Sequence, residues 1–282
     1  MFCYFVSDLH GKKELYEKLF KQILRKPPET LFFGGDLLAH GYLEGTGEED
    51  FINDYLFDRF SELKNTLKED YPNVFIILGN DDPKINEHKL KDIQDKHKLW
   101  YYINECTVKF LNYNIVGYSY VPPTPFGLKD WEKYDVSRYV DPGCSHPFEG
   151  LRTVKPDYDT EYDNIKQDLE RLALNIDVRN TIFLFHSPPY KTNLDRAALD
   201  GKMIDSVPLD VHVGSIAIQR FIQEEQPFLS LHGHIHESSS ITGSWKEITG
   251  RTYSFSAAYH ENKLALVEFD TNQLENATRK LL

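Results

Sequence analysis

Seven side chains in this sequence have the types and spacing to do chemistry together: Asp8, His10, Asp36, Asn80, His186, His234 and His236. They sit in five short polar clusters, Asp8-Leu9-His10-Gly11, Gly34-Gly35-Asp36, Gly79-Asn80-Asp81-Asp82, His186-Ser187-Pro188-Pro189 and His232-Gly233-His234-Ile235-His236. Carboxylate, amide and imidazole donors without a thiolate suit Mn, Fe, Zn, Co or Ni better than Ca or Mg. The members of the pairs Asp8/His10 and His234/His236 are two residues apart, so in a loop leaving a strand both side chains of a pair can turn toward one point. A carboxylate such as Asp36 can bridge two cations. Two ions about 3.5–4 Å apart clamp the attacking and leaving oxygens of an in-line displacement, and water shared between them becomes hydroxide near neutral pH. The reaction expected is hydrolysis of a phosphoester.

Each cluster alone has an ordinary reading. Asp-Leu-His is a turn with a surface histidine, Gly-Gly-Asp a helix N-cap after a strand, Gly-Asn-Asp-Asp plain turn chemistry, and His186 the end of a strand. The His-Gly-His-x-His run alone could bind metal adventitiously. It is their joint occurrence, always in ligand-suitable residue types, that favours a single site.

The elements that must position these residues are legible as short apolar runs. Residues 2–7, 30–33, 74–78, 182–185 and 228–231 read as strands, and each is followed by one of the five clusters. Between them lie helical patterns, such as residues 14–25, with Leu15, Leu19, Ile23 and Leu24 on one face. Strands alternating with helices imply a sheet buried between helical layers, and ligands in such sheets gather beyond the carboxyl ends of the strands. Further helices are expected over residues 162–174 and 213–224. Residues 241–269, including Ile241-Thr242, alternate short β-like runs with turns and predict an antiparallel flank without a helix. Residues 121–160, rich in Pro, Gly, Tyr and charge, read as an insertion forming a lid over the site of a single domain spanning residues 1–282.

In order and type these motifs, Asp8-x-His10, Gly35-Asp36, Gly79-Asn80, His186 and Gly233-His234-x-His236, resemble those of the calcineurin-like metallophosphoesterase superfamily. His186-Ser187-Pro188-Pro189-Tyr190, His212-Val213-Gly214-Ser215 and Gly233-His234-Ile235-His236-Glu237-Ser238 look like its small prokaryotic predicted phosphoesterases. The resemblance implies an α/β fold, a four-layer αββα sandwich with two mixed central sheets. It implies two divalent or trivalent transition-metal ions, one held by Asp8, His10, Asp36 and His236, the other by Asp36, Asn80, His186 and His234. The sequence departs from the family at Asp81, where many members place a histidine that protonates the leaving group or contacts the phosphate; Asp82 matches the acidic residue that follows.

A carboxylate beside two cations is a poor general acid near neutral pH, because its charged form is favoured. His212 is the candidate helper, as it precedes the expected helix and lies between two ligand loops in sequence. Arg138, Arg152 and Arg196 could reach a substrate phosphate. His40, His88, His97, His146, His232 and His260 receive no role.

Over 282 residues the formal charge is −12, which argues against general nucleic-acid binding, since phosphate backbones are held by clustered Lys and Arg. Cys3, Cys106 and Cys144 suggest neither a disulfide framework nor a thiolate zinc site, and point to the reducing cytoplasm. No secretory leader pattern opens the chain, and no apolar run is long enough to cross a membrane. A small phosphoester is the expected partner, with a diester favoured over a monoester. The alternatives left open are a phosphomonoesterase or protein phosphatase, and a metal-binding scaffold that binds a protein.

Overall fold

A computed structural model describes residues 1–39 and 50–282; His40 lies outside them. In chain order the strands are β1 (Phe2–Val6), β2 (Thr30–Gly34), β3 (Asn73–Ile77), β4 (Tyr101–Tyr102), β5 (Thr107–Phe110), β6 (Tyr113–Tyr118) and β7 (Thr181–Phe185). They continue with β8 (Met203–Ile204), β9 (Val207–Pro208), β10 (Leu229–His232), β11 (Lys246–Thr249), β12 (Thr252–Ser256), β13 (Ala265–Asp270) and β14 (Thr278–Leu281). The helices are α1 (Lys13–Arg25), α2 (Phe57–Leu67), α3 (Glu87–His97), α4 (Ile165–Ala173), α5 (Ile216–Glu225) and α6 (Ser238–Thr242).

Among the described residues two six-stranded sheets form, in the orders β14-β13-β1-β2-β3-β4 and β11-β12-β10-β7-β6-β5. Both are mixed: β1, β2, β3 and β4 run parallel while β13 is antiparallel to its neighbours β1 and β14, and β6, β7, β10 and β12 run parallel between antiparallel β5 and β11.

Alternation along the central strands explains the layers, because successive side chains leave a strand on opposite faces. Cys3 and Phe5 of β1, Phe32 of β2 and Phe75 and Ile77 of β3 join Ile182 and Leu184 of β7 and Leu229 and Leu231 of β10 in one buried cluster between the sheets. The intervening residues, Tyr4 and Val6, Leu31 and Phe33, Val74 and Ile76, and Phe183 and Phe185, pack with helical residues such as Leu19, Phe60 and Ile218. Both faces of each central strand are therefore buried, giving the expected αββα sandwich.

Local expectations shift in four places. The helix expected from residue 213 begins at Ile216, where the Ser215 hydroxyl accepts from Ile218 N and caps it, so His212 lies in a loop rather than at the helix entry. The helix expected over residues 162–174 is the shorter α4, started by an Asn164/Gln167 capping box. Ile241-Thr242, expected to be β-like, belongs to the short helix α6. The antiparallel flank expected there is only partly formed and is divided: β12 runs parallel to β10, with β11 antiparallel beside it at the edge of one sheet, while β13 is antiparallel to β1 and β14 in the other.

Within residues 121–160 the run 129–134 is buried in the core. Trp131, Tyr134, Lys129 and Glu132 are fully buried, and Lys129 Nζ lies 2.6 Å from Glu132 Oε2. Trp131 Nε1 donates to the carbonyl of Asp82 at 2.8 Å, tying the insertion to a ligand loop.

Candidate metal centre

β1, β2, β3, β7 and β10 end at Val6, Gly34, Ile77, Phe185 and His232, and the seven candidate donors follow within three residues or, for His10 and His236, four. Backbone bonds lace the loops together: Asp8 N donates to Gly35 O, His10 N to Asp36 O, and Gly233 N to His186 O. Contacts that join the sheets at this end include His234 N donating to Asp8 Oδ1 (3.0 Å) and His186 Nδ1 meeting Gly34 O (2.7 Å). Asp82, fully buried, accepts from Leu37 N, Leu38 N and Gly79 N, and so pins the Asp36 loop to the Asn80 loop.

The turns are tight. Asp8, His10, Asp36 and His234 have φ of 60°, 46°, 52° and 73°, in the left-handed region that L-residues seldom occupy. Gly79 and Gly233 permit close approach: a Cβ on Gly79 would lie 2.3 Å from Asp36 Oδ1, and one on Gly233 2.1 Å from Ser7 Oγ.

All seven donors come together. One ligand atom from each of Asp8, His10, Asp36 and His236 lies within 4.8 Å of the others, and the same holds for Asp36, His186 and His234, so Asp36 belongs to both groups. Asn80 Oδ1 is 3.0 Å from His186 Nε2, which is 3.3 Å from Asp36 Oδ2. His236 Nε2 is 3.1 Å from Asp8 Oδ1 and 3.2 Å from His10 Nε2. Spacings near 3 Å between donors are what metal–ligand bonds of about 2.1 Å subtend, so the residues fit a pair of ions. The His186 ring, held at Nδ1 by Gly34 O, offers Nε2 to the site, an outer contact that fixes a ligand's orientation.

The electrostatics suit cations. Burial opposes ionisation of Asp8, but the His236 imidazole turns the net shift downward. Burial likewise opposes ionisation of Asp36, and His186 outweighs it, holding that carboxyl far below its usual range. The reciprocal effects carry His186 up to about 10, through Asp36, and His236 up to about 9, through Asp8, in both cases against burial. His234 goes the other way, down to about 3, because burial and the neighbouring His186 charge both oppose its protonation. Asp81 sits beside the cluster, Oδ2 3.7 Å from His10 Nδ1. Burial and Asp36 push it up to about 7; bound cations act in the opposite direction.

A cavity of about 690 Å³ shares Asp36, Asn80, Asp81, His234 and His236 with this cluster, and His212 lines it too. His212 Nδ1 is 2.8 Å from Oδ1 of Asp195, which is fully buried. The carboxylate of Asp195 also accepts from the backbone N–H groups of Lys191, Thr192 and Gly214.

The three arginines that could have reached a substrate phosphate are engaged elsewhere, and none lines the cavity. Arg138 lies over Tyr162, Arg152 donates to Tyr158 Oη and Pro147 O, and Arg196 to Ala197 O and Asp200. Asp195 escapes sequence reasoning, since a single aspartate in a loop carries no pattern. His232, given no role, braces the site: Nδ1 meets Ser187 O and Nε2 meets Ser230 Oγ, with burial holding its pKa down to about 4.

The model of the calcineurin-like phosphoesterase family matches residues 3–238. The chain belongs to that family. It is a hydrolase of phosphoester bonds, in a family whose members typically use two metal ions. No curated protein matches it in sequence. Among solved structures, one crystal structure is 17% identical, with a TM-score of 0.60 over 100% of this chain and 98% of that one. TT1561 of Thermus thermophilus is 14% identical, with a TM-score of 0.58 over 99% and 98%. At such identities the likeness speaks for the fold. Among the described residues no helix is long and apolar enough to cross a membrane.

Proposed function

We propose that this phosphoesterase is a cytoplasmic phosphodiesterase of a small organic phosphoester. In this reading one transition-metal ion is held by Asp8, His10, Asp36 and His236 and a second by Asp36, Asn80, His186 and His234. The observation that carries it is the convergence of seven donors from five strand-end loops, with Asp36 common to both groups. Two bound ions would supply a nucleophile from water and neutralise charge on the phosphoryl oxygens.

The remaining steps belong to the chain's own residues. His212 would donate a proton to the leaving oxygen from Nε2, while Asp195, bonded at Nδ1, orients the ring, the division of labour seen when a buried carboxylate holds a catalytic histidine. Asp81 faces the same cavity as a carboxylate, and among the described residues no Lys or Arg lines it. A monoanionic diester therefore meets less repulsion there than a dianionic monoester. Residues 122–126 and 141–144 of the insertion wall the cavity, a placement that supports a role in choosing substrate. Three free cysteines fit a reducing location.

The test is metal analysis of the purified protein together with hydrolysis of bis(p-nitrophenyl) phosphate and p-nitrophenyl phosphate under added Mn. Two ions per chain and faster diester turnover are expected. Two ions with no turnover of either ester would refute the assignment and favour a scaffold.

A further inference from the structure

Beyond the metal cluster the cavity has a composition of its own. One wall comes from the insertion, with Pro122, Phe126 and Val136, and the other from the segment after His186, with Leu199, Ile204 and Leu209. The two walls meet: a Cβ on Gly143 would lie 2.3 Å from Ile204 Cδ1. Large apolar side chains remain exposed on these same pieces, Phe126 and Tyr139 on the insertion and Met203, Ile204 and Val207 on the β8–β9 hairpin. Single exposed apolar residues are ordinary, but several flanking an apolar cavity mark a binding surface.

The charges in the wall narrow the occupant. The lining includes Asp135, Asp141, Asp210 and Glu237. Asp135 is spent on capping α5, accepting from Ser215 Oγ, Ile216 N and Ala217 N, and Asp210 accepts from Tyr190 Oη. Among the described residues that line it, only the ligand histidines and His212 could meet negative charge, and no Lys or Arg is there to neutralise a second phosphate or a carboxylate. A volume of about 690 Å³ lies within the range of small-molecule sites, which are mostly apolar with a few placed polar groups.

We infer that the cavity takes an uncharged, apolar alkyl or aryl substituent of a monoanionic phosphodiester, so that the natural substrate is an amphiphilic diester rather than a nucleotide polyphosphate. This deepens the phosphodiesterase reading and rests on it.

A series of p-nitrophenyl alkyl phosphodiesters, from methyl through butyl to octyl, tests the inference with the metal-loaded enzyme. The leaving group is constant, so chain length reports only what the cavity holds. Transfer of a methylene from water predicts kcat/KM rising about two- to fourfold per added carbon until the cavity is filled. Leu209→Lys and Ile204→Lys should flatten that slope while leaving metal content unchanged. Ile204 is 39% exposed, so its replacement reads the cavity without disturbing the core. A flat series in the wild type would overturn the inference and leave the diesterase reading standing. Faster turnover of a trimethylammonium-ended ester than of its alkyl equivalent would overturn it in favour of a cationic substituent. No hydrolysis of any diester by protein holding two ions would overturn the diesterase reading, and this inference with it.

Discussion

Asp195→Asn is the substitution that most sharply tests the proton-donor role given to His212. Asp195 Oδ1 accepts from Thr192 N at 3.0 Å and His212 Nδ1 at 2.8 Å, and Oδ2 from Lys191 N at 2.9 Å and Gly214 N at 3.2 Å. An asparagine keeps one acceptor oxygen and turns the other into an amide donor facing two N–H groups, whichever way it is oriented. Two hydrogen bonds to a charged acceptor are lost, at about 1.5–3 kcal/mol each. That is about 3–6 kcal/mol, or a fall in Tm of about 5–10 °C for a chain of this length. The catalytic signature is separate from the melting one. A held acid supplies about 10²–10⁴-fold for a basic leaving group and little for a nitrophenolate. Turnover of an alkyl diester should therefore fall by that factor below the melting range, while p-nitrophenyl diester turnover falls less than tenfold. His212→Asn should give the same split with a smaller change in Tm, because His212 is partly exposed. The double variant should lose no more than either single one. Equal losses on both leaving groups, or unchanged alkyl turnover in folded Asp195→Asn, would remove His212 from the mechanism.

Other substitutions bear on the metals, on Asp81 and on the insertion. Asp36→Asn should lower occupancy of both ion sites together, more than any other single ligand change, because ligand charge balances the dications; full occupancy by metal analysis would refute the bridging role. With His212 supplying the proton, Asp81→His should leave the ratio of kcat/KM for alkyl to nitrophenyl esters unchanged, and a rise in that ratio would show that no efficient acid is in place. Lys129→Met leaves Glu132 buried without its partner and should cost about 3–5 kcal/mol at pH 8, with Lys129→Met/Glu132→Leu recovering most of it by thermal melting. Burial, opposed by Lys129, raises Glu132 to about 7, so the carboxyl is ionised at pH 8 and protonated at pH 5, where the single variant should lose less. A loss independent of pH would mean that packing, not charge, holds this part of the insertion.

The ligand loops are legible in the sequence because each follows a strand whose apolar run is continuous, a local pattern that survives without knowledge of neighbours. Asp82, Asp135 and Asp195 are not legible in their roles, because their partners are set by the fold: Asp82 clasps residues 44 and 45 positions away, and Asp135 caps a helix that starts 81 positions later. The same cause misplaces the start of α5, whose cap combines the local Ser215 with the distant Asp135. It also hides the division of the C-terminal strands, since alternation predicts a strand but not which of two sheets will accept it.

From sequence the insertion reads as cover because Pro, Gly and charge are loop composition. Yet Lys129, Asp130 and Glu132 are buried, and they find partners in Thr124, Thr153, Lys84 and each other. Charge in the sequence signals exposure only when the fold supplies no counter-group.

Four of the seven candidate ligands have positive φ, a conformation that costs of order 1–3 kcal/mol at a residue other than glycine. Such strain persists only where the surroundings over-determine it. Here the determinants can be named without any ion: Asp8 N is held by Gly35 O, His10 N by Asp36 O, His234 N by the Asp8 carboxylate, and the Asp36 side chain by Asp81 N. The donors therefore owe their convergence to backbone and side-chain hydrogen bonds between strand-end loops of both sheets. A cation entering such a site meets side chains already aimed at it, so little of its binding energy goes to ordering loops. The strain recorded at these four residues is carried by the two buried sheets beneath them.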